Sequence, residues 1–210
     1  MLKLWGRTSS INVRKVLWTL QALQQQTGLA FERVDAGLSF GVVKTPEYLA
    51  KNPNALVPHL EDGGFQLWES NVIVRYLCAK HAQGTLYPED LQQRFEAERW
   101  MDWQQTALNH ASRDAFYQWI RVKPEDRQLA LITRSVAATE PLLDMVDAQL
   151  ARHAFMAGAQ LTMADIPMAC EIHRWWGLPQ PRPAWPNIER WYAQMLAQPA
   201  SRGVLDLPLS

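Results

Sequence analysis

The residues best suited to chemistry crowd into the stretch GRTSSINVRKVLW, residues 6–18. Ser9, Ser10 and Asn12 stand at the head of a run in which Val13, Val16, Leu17 and Leu20 recur at helical spacing. Short polar side chains at a helix start satisfy first-turn N–H groups, a cap worth ~1 kcal/mol. The same place favours an anion, because free N–H groups and the positive end of the helix dipole converge there. Cap and anion site are both open readings for Ser10 and Asn12. Glu69 and Ser70 open a second apolar helical run, ESNVIVRYLCAKH, where an acid and a hydroxyl are ordinary capping choices. The five histidines suggest no metal site: no two stand at i, i+4 spacing, and neither HExxH nor a Cys/His cluster occurs.

Positioning these groups falls to the first 80 residues or so, where strand-like and helical runs alternate. Leu2–Trp5 and Phe31–Val34 read as strands around a helix from Asn12 to about Gln26. A loop through DAGLSFGVVKTP leads to the short helix PEYLAKN, with Pro46 in its first turn. Val57–Leu60 and Phe65–Leu67 flank Asp62-Gly63-Gly64, a hairpin signal, and the helix headed by Glu69 follows. The order is βαβ, then α, then ββα. Gly84 and Pro88 mark a linker, after which helices dominate. One helical pattern covers 89 to about 120. Another covers 126–151, where Pro141 is expected to introduce a bend. MADIPMACEIHRWW and NIERWYAQML supply two more. The expected architecture is α+β: residues 1–80 as a small α/β unit, 81–90 as linker, and 91–210 as an all-α domain.

Composition narrows the function classes. With 210 residues and 48% hydrophobic content, the chain is long and apolar enough for a well-buried core. Lys plus Arg equals Asp plus Glu at 21 each, which weakens any bulk-charge case for nucleic acid or an acidic membrane. The two cysteines, Cys78 and Cys170, are far apart and form no CxxC, so a reducing compartment fits better than a disulfide scaffold. The beginning, MLKLWGRTSS, lacks a signal-peptide core, and no run reaches membrane-spanning length. The expectation is a soluble cytoplasmic protein.

Four motifs in order now carry a resemblance: GRTSSINVRKV, NPNALVPHLED, LWES and AGAQLTMADI. The βαβαββα half resembles the thioredoxin-like fold, and the whole chain resembles the cytosolic glutathione S-transferases, bacterial and serine-type (theta- or nu-like). Thioredoxin places CxxC at the first turn; here Ser10, Ile11, Asn12 and Val13 stand there, so any thiol must come from outside. The resemblance supplies it as glutathione, a co-substrate, with no metal. A basic-apolar pair in the first helix, here Lys15-Val16, sets the family phase and puts Ser10 on the catalytic position, with Asn12 as second donor. A hydrogen bond at a helix start lowers a thiol from its usual pKa of ~8.5.

By the same resemblance, Pro58 follows a cis bond and Val57 offers its backbone to the cysteinyl unit as an added strand. Ser70 and its helix start take the γ-glutamyl carboxylate, and Glu69 takes the ammonium. Ala55 and Leu56 depart from the family, which often has a polar or basic residue there for the glycyl carboxylate; either Lys44 or Lys51 of the neighbouring loop replaces it, or glutathione binds more weakly. LTMAD reads as a capping box between Thr162 and Asp165, governing folding. Along the long helix, Asp102, Thr106, Asn109 and Arg113 form a stripe. It is either a solvated face or, with His110, one side of a second-substrate pocket walled by Trp103, Phe116 and Trp176. The function implied is conjugation of glutathione to small electrophilic apolar compounds by a homodimer, with no nucleic-acid or membrane partner. The alternatives are a glutathione-dependent disulfide reductase without protein cysteines and a non-catalytic interaction protein.

Overall fold

The computed structural model describes residues 1–209. Its sheet has four strands in the order β2-β1-β3-β4: β1 Leu2–Trp5, β2 Phe31–Val34, β3 His59–Asp62 and β4 Phe65–Trp68. β1 pairs parallel with β2 and antiparallel with β3, and β4 closes the β3 hairpin. β3 begins at His59 and not at Val57 as the sequence suggests, because Pro58 has no N–H to give a ladder. Helix α1, Ile11–Thr27, packs against α3, Ser70–His81. Val13, Val16 and Leu20 of α1 meet Ile73 and Leu77 of α3 in one core with Leu4 and Leu60 of the sheet. The short helix α2, Pro46–Leu49, starts with Thr45 accepting from Tyr48 N–H at 3.3 Å.

The helical half begins with α4, Leu91–Trp103, capped by Asp90. Its helix does not stop there but widens: a π turn at Gln104–Leu108 leads into α5, Asn109–Phe116, and a second π turn at Tyr117–Arg121 ends the run. α6, Leu129–Arg152, continues through Pro141 without breaking. α7, Asp165–Trp176, is the most buried helix and packs against α1, while α8, Pro186–Ala197, covers α6.

The LTMAD segment does more than cap. Asp165 is fully buried; its Oδ2 accepts from Thr162 N–H at 2.9 Å, closing the capping box. Its Oδ1 accepts from Met156 N–H and from the Trp191 indole, both at 2.9 Å. One carboxylate thus ties the loop before α7 and the middle of α8 to the head of α7. Burial pushes its pKa up to about 6, although these three donors and the Thr162 hydroxyl, 3.3 Å from Oδ2, all favour the ionised form.

Candidate active site

The turn from β1 to α1 is pinned at both ends. Gly6 N–H donates to Val34 O at 2.8 Å and Arg7 N–H to Ala36 O at 3.2 Å, which continues the parallel pairing past β1. A side chain at Gly6, φ 151, would lie 2.4 Å from a Val13 methyl, so this turn requires glycine. Buried Arg14 supports it from below, donating to Thr8 O at 2.7 Å and to Pro208 O at 2.7 Å. Ser10 occupies the N-cap position of α1 with extended backbone, yet its hydroxyl makes no cap bond. The capping reading does not account for that hydroxyl. Asn12 Oδ1, two residues on, is buried with no hydrogen-bond partner.

Both residues line a groove across the ends of the strands. It consists of two adjoining hollows, about 60 Å³ and about 820 Å³, that share Asn12, Leu56 and Val57. The smaller runs to Pro58, Glu69 and Ser70; the larger runs past Ser10 to Arg7, Lys44 and Thr45. The Val57–Pro58 peptide is cis. Val57's own N–H and C=O make no hydrogen bond among the described residues. The loop is held one residue earlier: Tyr48 Oη donates to Leu56 O at 2.7 Å and Asn52 Nδ2 to the same oxygen at 2.9 Å. Ser70 is buried at the first turn of α3, and the Glu69 carboxylate beside it is exposed and unbonded.

Backbone strain gathers here as well. The non-glycine residues with positive φ are Leu38 (53), Val42 (69), Ala55 (54) and Glu69 (72), and all of them line the groove. For a β-branched residue such as Val42 this is a true outlier. Residues in such conformations cost roughly 1–3 kcal/mol each and cluster where ligands are held.

Comparison with known proteins identifies the family. Residues 1–79 match the model for the glutathione S-transferase N-terminal domain, and 130–194 match that for its C-terminal domain. Glutathione S-transferase GstB of Escherichia coli K12 is 39% identical, with 100% of both chains covered. This chain belongs to the glutathione S-transferase family. The theta-class glutathione S-transferase of Xanthomonas axonopodis pv. citri, a crystal structure with glutathione bound, superposes with a TM-score of 0.92 at 38% identity, covering 100% of this chain and 99% of that one. Glutathione S-transferase 3 of Zea mays is 30% identical over 99% of this chain and 95% of its own. The fold is the family's: a thioredoxin-like sheet unit followed by a helical domain.

The sequence expectations on the helical side need correction. Trp103 does not wall a pocket beside Ser10. It packs edge-on against Trp100 and lines a separate hollow with Met145 and Arg152 of α6. Helical phase explains the miss: Met101 and Gln104, not Trp103, face the N-terminal half. Trp176 likewise joins Trp185 and Tyr192 in the α7–α8 cluster, under Arg182. Thr106, His110 and Arg113 are exposed on the helix surface, and the Thr106 hydroxyl is spent on Asp102 O at 2.9 Å. Asn109 accepts from Arg174 at 2.9 Å. Phe116 alone of the set reaches the turn, lining a small interdomain cavity with Ser9 and Ile11. Lys51 is also elsewhere, donating to Glu61 at 2.6 Å beside the Trp5 ring, which leaves Lys44 on the groove.

A buried polar network carries positional weight that sequence reading did not assign. Lys15, used there only to set phase, is fully buried and donates to Gln104 Oε1 at 3.0 Å and Gln105 Oε1 at 2.9 Å. Consecutive residues of a regular α-helix diverge by about 100°, and the π turn is where both amides converge on one ammonium. Gln104 Nε2 passes the contact on to Glu171 at 3.0 Å. Glu171 is also bonded by Ser112 at 2.6 Å and paired with Arg174. Burial lowers the Lys15 pKa to about 8, against the pull of Glu171. No periodicity announces such a network; Arg14 and Lys15 look like surface charges until α7 is seen to cover them.

Proposed function

We propose that this chain is a glutathione transferase that joins the sulfur of glutathione to an electrophilic carbon of a small compound. The thiol proton leaves to solvent, the C–S bond forms, and the leaving group departs with its electron pair. The observation that carries this is the uncommitted Ser10 hydroxyl at the start of α1, in one groove with the orphan Asn12 carbonyl. Ser10 donates to the thiolate, and the α1 N-terminus adds its partial positive charge. Asn12 Oδ1 accepts from the tripeptide backbone while its amide serves as second donor. Val57 N–H and C=O pair with the cysteinyl unit, Glu69 and the head of α3 with Ser70 take the γ-glutamyl end, and Lys44 takes the glycyl carboxylate. The similarity to GstB and to the glutathione-bound theta-class structure supports this placement.

No protein thiol takes part. Cys78 and Cys170 are free and buried, and burial raises both well away from thiolate formation, Cys170 to about 12. No helix among the described residues is long and apolar enough to cross a membrane. The unit 1–80 holds glutathione, 81–90 links, and 91–210 flanks the electrophile, within a cytoplasmic homodimer. Exposed Phe65, Val72, Phe95 and Met145 give that dimer apolar surface to cover.

The deciding experiment titrates the ultraviolet absorbance of enzyme-bound thiolate in the parent and in Ser10→Ala. The bound thiol pKa should rise and turnover at neutral pH should fall about tenfold to hundredfold, the value of a hydrogen bond to a charged group. Full activity in Ser10→Ala with loss in Asn12→Ala would move the assignment to Asn12.

A further inference from the structure

Resting on the transferase reading, we infer that residues 207–209 are a working part of the active site: through Arg14, a positioning residue, they fix the turn that carries Ser10. The Ser10 hydroxyl has no cap bond to hold it, so its place follows the backbone of the turn. That backbone is closed by Ser10 N–H on Arg7 O at 3.2 Å, with Thr8 O inside the closed stretch. Arg14, in the first turn of α1 and buried, reaches back with Nε to Thr8 O at 2.7 Å. Its other two nitrogens cross to the helical half: Nη2 donates to Pro208 O at 2.7 Å and Nη1 to Leu207 O at 3.3 Å. No carboxylate pairs with this guanidinium among the described residues. A planar fork with donors at fixed angles holds these three carbonyls at set separations, which a single ammonium on a flexible stem cannot do.

The far end of this strap is anchored to α7. His173 Nε2 lies 2.9 Å from Leu207 O; a carbonyl only accepts, so that nitrogen carries the proton, and Nδ1 accepts from Tyr192 Oη at 2.9 Å. Burial lowers the His173 pKa, which favours this neutral tautomer. Leu209 packs so closely on Gly177 that a Cβ there would lie 2.7 Å from a Leu209 methyl. The same leucine lines the small cavity beside Ser9 and Ile11. The catalytic turn is therefore held from the sheet side by Val34 O and Ala36 O, and from the helical side by 207–209. A second tie holds the preceding stretch of chain to α1: Gln21 Nε2 donates to Ala200 O at 2.6 Å and to Arg202 O at 2.9 Å. It lies about two helical turns beyond Arg14 and does not touch the catalytic turn, so it separates packing from positioning. A hydrogen bond from Ser10 to sulfur weakens steeply with distance and angle, and small shifts of the turn therefore reach the thiol.

The test reads the pKa of bound glutathione from thiolate absorbance, together with kcat and KM, in the chain shortened after Asp206, in Arg14→Lys and in Gln21→Ala. The first two should raise the bound thiol pKa and lower kcat at neutral pH about tenfold. Their KM for glutathione should stay within about twofold, because contacts remote from sulfur are untouched. Gln21→Ala should lower the melting temperature and keep the parent's thiol pKa. If the shortened chain does not fold, His173→Gln, which removes one of two donors to Leu207 O, should move the thiol pKa the same way by less. A parent-like thiol pKa in the shortened chain, in His173→Gln or in Arg14→Lys overturns the inference; in the last case only the charge of Arg14 would matter. A shift in Gln21→Ala as large as that from shortening also overturns it, since loosened packing would then be the cause. Shortening the chain in the Ser10→Ala background decides the route. A strap that acts through Ser10 adds almost nothing there, and an equal shift in both backgrounds overturns it. If Ser10→Ala itself keeps the parent's thiol pKa, the Ser10 assignment of the transferase reading fails, and the inference fails with it.

Discussion

The groove and the heart of the helical half treat polar atoms in opposite ways. Around Asp165 and Glu171, six positions apart on α7, buried carboxylate oxygens are matched to donors from loops and from other helices. Along the groove, the Ser10 hydroxyl, the Asn12 carbonyl and the Val57 backbone are left without partners, and the backbone is strained. Unmade hydrogen bonds are expensive in a folded interior, so such a concentration marks where an outside molecule completes the set. The satisfied carboxylates of α7 report folding; the unpartnered groups gathered along the groove report function.

The largest effect should come from breaking the satisfied side. Glu171→Ala leaves Arg174 uncompensated and weakens the hold on Lys15, a loss of about 3–5 kcal/mol for one partner of a buried pair. Chemical denaturation should show it. A stability within about 1 kcal/mol of the parent would mean that water reaches the network.

Asp165→Ala is next. It strands two backbone N–H groups and an indole, each costing ~1–3 kcal/mol when unpaired, and relaxation should leave a net loss of about 3 kcal/mol. Folded Asp165→Ala should still bind glutathione with near-parent affinity by calorimetry; a parent-like melting temperature with lost binding would transfer Asp165 to the site. A pH series sharpens the point. The folded-state pKa, about 6, lies above the unfolded value of 3.8, so the folded form binds the extra proton between them. This contribution is therefore greatest below pH 4 and declines as pH rises to about 6. The stability of the parent relative to Asp165→Asn should fall across that window and level off above it.

Effects on the unsatisfied side should be catalytic or binding effects with little change in melting. Ser70→Ala should raise the KM for glutathione roughly tenfold and spare kcat, because its contact is remote from sulfur and equal in ground and transition states. A fall in kcat at saturating glutathione would contradict that role. The smallest effect is expected of Trp103→Phe: with Trp103 in the α4–α6 hollow, kcat/KM should stay within about twofold, as for a change that removes no transition-state contact.

Much of this was legible before the fold was known, for a physical reason. The sheet unit is written in short-range signals: strand alternation, the Asp62-Gly63-Gly64 turn and polar residues at helix starts, each acting over a few positions. Ser10, Asn12, Glu69 and Ser70 sit at such boundaries, which is why their neighbourhood was readable. The helical side was not, because a helix presents a new face at every residue. Placing Trp103 or Phe116 needs the rotation of the long helix, which π turns at 104–108 and 117–121 shift without any residue type announcing them, and placing Trp176 needs the rotation of α7. Arg7 and Arg14 were missed because a charged residue in a loop or first turn defaults to solvent until a second element covers it.

The contact of Lys15 with Gln104 and Gln105 bears on how such proteins diversify. A helical half grafted from a relative onto this sheet unit would have to bring a widened turn with two acceptors at the right height, or bury an ammonium against hydrocarbon. Recombination at the linker is thereby filtered: only halves that share this joint can be exchanged, while the loops beyond Phe116 are free to vary and retune what is accepted.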